Sequence, residues 1–306
     1  MKKFIYTLVS LLALVIVGDR AVGYWLRHAC EHTRYDEIGR LNHISDSVTA
    51  DIVVLGSSRA LHHYVPSVIT DSTGLSCYNC GFENEGIVFH YALLRQLQQR
   101  YRPRLVIYEL TYDYDVQYLH WRPANLKHIH AMAGLQCRDS ILASVDPWER
   151  VTMLSHIYPY NSLAFAMLAS QAPTTYDSPN VDNGYIPQFK HMQLADDWQF
   201  VPQKLNDQVD SLKVGYLQRL IAENAGQLLV VVSPRYLSPE DDIYGLVEQL
   251  CHQHGVPFVC MVSDPVISRD ISLWEDDGHL NHTGALAFTR QLTPHIRQLL
   301  TNNNKQ

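Results

Sequence analysis

The chain has 306 residues, of which 46% are hydrophobic and 18% charged, and its formal net charge is −7. That balance excludes a disordered polymer and fits one elaborated folded domain. With an acidic net charge and no basic cluster, nucleic acid is not an expected partner.

Lys2 and Lys3 precede an uncharged stretch over residues 4–17, a signal-like pattern. Asp19 and Arg20 interrupt it before Ala21-Val22-Gly23-Tyr24-Trp25-Leu26. Small residues at 21 and 23 allow cleavage after Gly23, whereas Tyr24 and Trp25 suit the interface end of an uncleaved anchor. The stretch is shorter than the roughly 20 residues that span a bilayer comfortably. Residues 1–26 are therefore expected to be a signal anchor or a signal peptide. Either way, Lys2 and Lys3 stay inside and the body lies outside the cytoplasm, anchored to the inner (cytoplasmic) membrane or exported. Residues 27–50 are polar and are expected to form a short stem.

Asp51-Ile52-Val53-Val54-Leu55 is a continuous apolar run and reads as a strand buried on both faces. Gly56 then permits a sharp turn into Ser57-Ser58-Arg59, with a helix expected around 60–71. A serine there is either a displayed nucleophile beside free helix N–H groups or a helix cap. A second strand is expected over 75–79, a helix over 87–99 and a third strand over 105–109. Residues 114–205 form a long, mostly helical insertion. Tyr114, Tyr118, His120 and Trp121 make an aromatic-rich loop, and Asp146-Pro147 opens a helical stretch through Leu154, Leu163, Phe165 and Leu168. Residues 173–187 look irregular. The insertion is either a lid or substrate wall, or a packed elaboration without substrate contact.

The α/β rhythm then returns. Val214, Leu217, Leu220 and Ile221 mark a helix ended by Gly226, and 228–232 is the fourth strand. Ser238-Pro239-Glu240-Asp241 reads as a capped start to the next helix, and residues 258–261 are the fifth strand. Strands alternating with helices imply a five-stranded parallel sheet between helical layers, a three-layer flavodoxin-like sandwich. Such sheets bind ligands outside the carboxyl ends of their strands.

Asp276-Asp277-Gly278-His279 precedes the last helix, expected from near Thr283 with a break or kink at Pro294. An Asp three residues before a His can supply a general base and its orienting carboxylate from one loop. Asp277 is the fallback orienter, and a solvated acidic loop with Asn281 or Thr283 capping the helix is the alternative.

Other clusters carry less. Cys77 and Cys80 have redox-motif spacing but lie in or just after the second strand. His28, Cys30 and His32, and Cys251, His252 and His254, have metal-like spacing without the context of a metal site, and Lys127-His128-Ile129-His130 is similar. No metal and no cofactor is expected.

Gly56-Ser57-Ser58, Tyr78-Asn79-Cys80-Gly81 and Asp276-x-x-His279 together resemble the SGNH (GDSL-like) hydrolase superfamily, over roughly 50–115 and 210–300. Leu280-Asn281 and Gly284 resemble a version common in exported, membrane-anchored members. On this resemblance residues 51–302 form the SGNH-like domain, Ser58 is the nucleophile, and His279 and Asp276 complete a triad. The N–H groups of Ser58 and Gly81 would hold the oxyanion. The family's Gly-x-Asn-Asp block is absent: Leu110-Thr111-Tyr112-Asp113 follows strand three, so Asn79, Asn84 or the Tyr112 hydroxyl could substitute. Arg59 and Arg235 flank the expected pocket; they are either solvated surface cations or contacts to an anionic part of the substrate. The implied activity is an extracytoplasmic serine esterase or O-acyltransferase acting on acyl, notably acetyl, esters of cell-envelope carbohydrate. Its activity would fall at acidic pH, because His279 must be neutral to act as base. The alternative is a catalytically inactive relative that binds glycan or scaffolds an envelope complex.

Overall fold

The computed structural model describes residues 1–117, 126–169, 181–194, 199, 209–238 and 242–303. The aromatic loop at Tyr118, His120 and Trp121, the caps at Pro239, Glu240 and Asp241, and parts of the 114–205 insertion lie outside the described residues. The chain folds into two compact units, residues 1–47 with 124–177, and residues 48–123 with 178–306.

The second unit is α/β. Its strands are β1 (Ile52–Leu55), β2 (Cys77–Asn79), β3 (Leu105–Glu109), β4 (Leu228–Val232) and β5 (Phe258–Cys260). They form one all-parallel sheet in the order β2-β1-β3-β4-β5. Each central strand is buried along its whole length, which explains why its residues are a mostly apolar run rich in valine, leucine and isoleucine and not an alternation. Successive side chains take opposite faces. Ile52, Val54, Leu105, Ile107, Leu229 and Val231 meet Tyr64, Ile69, Phe288, Leu292 and Ile296 on one face. The other set includes Tyr108, whose ring lies 6.1 Å from that of His90 on the helix Ile87–Gln98. That helix adjoins Ser211–Glu223, which adjoins Gly245–Gln253. The result is a three-layer sandwich.

Three local expectations change. The helix expected over 60–71 is two, Ser58–His63 and Pro66–Thr73. Pro66 opens the second, and a residue before proline is driven from the helical region, as Val65 is. The helix Ser211–Glu223 stops before Gly226, with a 3-10 turn Ala225–Gln227 after it. The last helix, His282–Asn303, runs through Pro294 without a break. Proline removes the donor that Arg290 O would otherwise receive, and the Thr293 hydroxyl donates to that oxygen instead, at 2.8 Å.

The first unit corrects the expectation of a polar stem over 27–50. One helix spans Lys2–Glu31, and a second, Asp36–Asp46, buries Ile38, Leu41 and Ile44. Leu26, Cys30 and Ile38 share a core with Tyr160, Leu163 and Met167. The first helix is long and apolar enough to cross a membrane or to serve as a signal sequence. Within 126–169 the helices are short: Leu126–Ala131, Arg138–Val145, Glu149–Thr152 and Ala164–Ala169. Asp146 does not cap the helix Glu149–Thr152, whose first flanking residue is Trp148; it closes the preceding turn instead, with Trp148 N–H donating to Asp146 Oδ1 at 2.9 Å.

His90, wholly buried in the second unit, makes stability pH-dependent. Burial pushes its pKa down to about 3, with the Glu85 backbone opposing in part. The unfolded chain therefore binds the extra proton between about pH 6.5 and 3, and stability is lost as pH falls through that window. The slope is at most about 1.4 kcal/mol per pH unit. His90→Leu should remove this component, so that urea midpoints of the variant fall less between pH 6.5 and 4 than those of the parent. An identical pH dependence would show that His90 does not titrate in this way.

Candidate functional site

β1 ends at Leu55, and Gly56 turns the chain with φ +139°. A side chain at Gly56 would come within 2.5 Å of Glu109 O, so only glycine allows β1 and β3 to lie this close at their ends. Helix Ser58–His63 starts immediately after. Neither serine caps it: Ser57 Oγ is buried, and Ser58 Oγ points elsewhere.

At the same sheet edge, Trp274 and Leu280 pair as an antiparallel bridge and close the 275–279 loop at its base. Both are buried, and the Trp274 indole N–H donates to Ile267 O at 2.9 Å. Asn281 then caps the last helix, its Oδ1 accepting the Gly284 N–H at 3.1 Å. The loop so held brings His279 Nε2 to 2.8 Å from Ser58 Oγ, across 221 positions of sequence. His279 Nδ1 lies 3.0 Å from both carboxylate oxygens of Asp276. With Nδ1–H donating to Asp276, Nε2 is the acceptor for the serine proton. Asp276 Oδ1 also accepts the N–H groups of Gly278 (2.8 Å) and His279 (2.7 Å). Burial alone would raise the Asp276 pKa, but the hydrogen bonds from His279 and the loop backbone hold it below the usual value. Asp276, and not Asp277, is the residue on the imidazole.

Ser58, Asp276 and His279 line a cleft of about 220 Å³ with His62, Glu83, Asn84, Gln188 and Glu275. A larger cleft of about 480 Å³, lined by Leu228, Phe258 and His295 among others, sits at the amino ends of β4 and β5 and holds no such relay. Four residues of the first cleft were not singled out in sequence. His62 lies one turn after Ser58, so both share a helix face; its Nδ1–H donates to Ile186 O at 2.8 Å, and Nε2 is 3.2 Å from Glu83 Oε1. Helical spacing from Ser58 was the available signal for His62. Gln188 comes from the insertion, where Ile186 N–H donates to Leu61 O (3.2 Å) and His282 N–H to Gln188 O (2.6 Å). The described end of the insertion thus forms a wall of the cleft.

Several expected roles fall away. Gly81 N–H donates to Asn79 Oδ1 at 2.9 Å, so it is engaged and not free for an oxyanion. Asn79 is fully buried, and its Nδ2 donates to Ala60 O (2.7 Å) and Tyr64 O (3.0 Å). Tyr112 is buried against the Tyr244 ring and does not line the cleft. Arg59 is 7% exposed and cannot reach substrate. It pairs with Glu109 at 3.4 Å and donates to Ser233 O and, at 3.0 Å, to Pro234 O. Arg235 does not line the cleft either. Of the alternative oxyanion donors, Asn84 alone is at the cleft, in a left-handed conformation (φ 57°), with Oδ1 accepting the Tyr114 hydroxyl at 3.1 Å.

Arg59 belongs instead to a buried polar network beneath the site. Glu109, at the end of β3, accepts from the Tyr64 hydroxyl, from Ser233 N–H at 3.1 Å and from Ser233 Oγ–H at 2.7 Å. His63 Nε2 accepts the Leu280 N–H at 3.0 Å, so Nδ1 carries the proton that goes to Ser233 Oγ at 2.8 Å. Only a neutral imidazole can do this. Burial, then Arg59 and the neighbouring His279 and His62, depress the His63 pKa well below its ordinary value. One end of the network adjoins Ser58 in sequence and the other adjoins His279, so it ties both halves of the relay to the core.

Among the described residues no group of three or more His, Cys, Asp and Glu side chains is arranged to hold a metal. His128 and His130 face Glu37 and Glu149, at 3.1 and 2.9 Å. No disulfide joins any of the six cysteines, Cys77 and Cys80 included. No family model matches the chain, and no curated protein matches it.

Proposed function

We propose that the protein is an extracytoplasmic, membrane-anchored serine esterase or O-acyltransferase of the SGNH type, acting on acyl esters of carbohydrate. The hydrogen-bonded chain Ser58–His279–Asp276 carries this reading. Ser58 Oγ attacks the ester carbonyl while its proton passes to His279 Nε2. Asp276 keeps the imidazole in the tautomer that accepts there and stabilises the imidazolium. His279 then returns the proton to the departing alkoxide, leaving acyl-Ser58, which water or a sugar hydroxyl resolves. The developing oxyanion is met by the Ser58 N–H, which as the first helical residue has no intrahelical acceptor, and by the Asn84 amide. Tyr114 holds the Asn84 oxygen, which leaves Nδ2 to donate. Glu83, Glu275 and Asp276 make the cleft acidic, and Arg59 is sequestered, so a neutral polyol ester fits better than an anionic one.

A second reading, a glycan-binding relative without turnover, is favoured by one observation: Gly81 N–H is taken by Asn79. Labelling of the detergent-solubilised full chain with a fluorophosphonate separates the two. Under the catalytic reading the wild type labels, Ser58→Ala does not, and Asn84→Ala labels on the order of a hundredfold more slowly. No labelling of the wild type rejects catalysis. Turnover of an acetylated sugar ester, with and without an acceptor glycan, distinguishes esterase from transferase.

A further inference from the structure

The first unit carries an arrangement that is inside out for water. Around the short helix Glu149–Thr152 the carboxylate is inside: Glu149 is buried, 2.9 Å from His130 Nε2, and accepts the Tyr158 hydroxyl at 3.2 Å. The apolar side chains are outside: Trp148 is 71% exposed, Val151 54% and Leu154 69%. Trp148 and Val151 lie on either side of the buried Glu149 with Arg150 exposed beside them, so the helix turns its carboxylate to the core and shows its apolar side chains and a cation outward.

This surface is fixed to one point on the apolar helix Lys2–Glu31. Arg20 Nη1 donates to Leu154 O at 2.8 Å and pairs with Asp19 Oδ2 at 3.1 Å. Asp19 accepts the Ser155 hydroxyl at 2.5 Å and the His156 N–H at 2.9 Å. Gly23 lets that loop lie flush, since a side chain there would meet His156 Cβ at 2.3 Å. The two charges that interrupt the apolar helix thus pair with each other and are hydrogen-bonded by residues 154–156.

Length then sets the depth. Residues 4–18 of the helix carry no charge; at about 1.5 Å per residue they cover about 22 Å. A hydrocarbon core is about 30 Å thick. The missing distance, about 8 Å, is some five further residues, which puts the boundary near Gly23 and Tyr24. Leu154, bound to Arg20, stands about 5 Å to the hydrocarbon side of that level.

We propose that the face carrying Trp148, Val151 and Leu154 docks into the lipid headgroup region of the membrane that the N-terminal helix spans. This rests on that helix being a retained anchor. Aromatic and aliphatic side chains are at home at this depth, and a face of this kind enters about 5–10 Å.

The test uses the full chain in vesicles of phosphatidylethanolamine and phosphatidylglycerol, with and without bromine on the acyl chains. The Trp148 emission is taken as wild type minus Trp148→Phe, and the Trp25 emission as wild type minus Trp25→Phe. Docking predicts that bromination quenches the Trp148 component, because a ring seated at that depth lies against the acyl chains, and quenches Trp25 as well. Quenched Trp25 with unchanged Trp148 overturns the docking face and leaves the anchor standing. If neither is quenched, the anchor and the docking face both fail.

Discussion

Asp276→Asn should lower ester turnover by about 10³–10⁴-fold while leaving the fold and the Ser58 position intact. The carboxylate accepts the His279 Nδ1–H at 3.0 Å and also the Gly278 and His279 N–H groups. An asparagine oxygen can keep the two backbone bonds. Its amide would then face Nδ1 as a donor, and the ring would answer by moving its proton to Nε2. That nitrogen is the one 2.8 Å from Ser58 Oγ, so the base is lost even though the atoms stay in place. The loss should appear in kcat and in kcat/KM alike, because the imidazolium forms only as the bond is made. Fluorophosphonate labelling should slow in parallel. A variant with near wild-type turnover would mean that Asp276 only shapes the loop.

Glu109→Leu should destabilise the second unit by about 3–5 kcal/mol. The loss of one carboxylate would strand the buried Arg59 guanidinium, which pairs with Glu109 and otherwise donates to the carbonyls of Ser233 and Pro234. It would also leave Ser233 N–H and the Tyr64 hydroxyl without their acceptor. Arg59→Met alone should cost less: burial already pushes the Glu109 pKa up, and without the opposing guanidinium the acid can take a proton and remain neutral. The double variant should be less destabilised than the sum of the two singles, with a coupling of about 0.5–3 kcal/mol. Urea midpoints of the solubilised full chain read this out. Strict additivity would remove the pairing from the account.

The parallel sheet could be read directly, because strands covered on both faces must be largely apolar, and 52–55, 228–232 and, up to the closing Glu109, 105–109 are. The Ser58–His279–Asp276 contact could also be read, since a histidine and a carboxylate sit three residues apart and the serine follows a strand that ends just before a glycine. What escaped depended on partners and packing that the local residue types do not announce. Arg59 looked like a surface cation because nothing near it in sequence announces Glu109, which reaches it from the end of another strand. Gly81 looked like an oxyanion donor because the acceptor that engages it is a side chain two residues back, folded over the turn. Residues 27–50 looked polar in sum, although Ile38, Leu41 and Ile44 form a buried stripe. Gln188 carried no local signal, and only its backbone ties to Leu61 and His282 seat it beside the serine.

The shared core of Leu26 and Cys30 with Tyr160, Leu163 and Met167 has a practical corollary. A secretion-style truncation that starts beyond Glu31 would strip a packing partner as well as a membrane tether, leaving three large side chains uncovered. Preparations trimmed in this way should clump, whereas those that keep the whole first helix and tolerate detergent should stay dispersed.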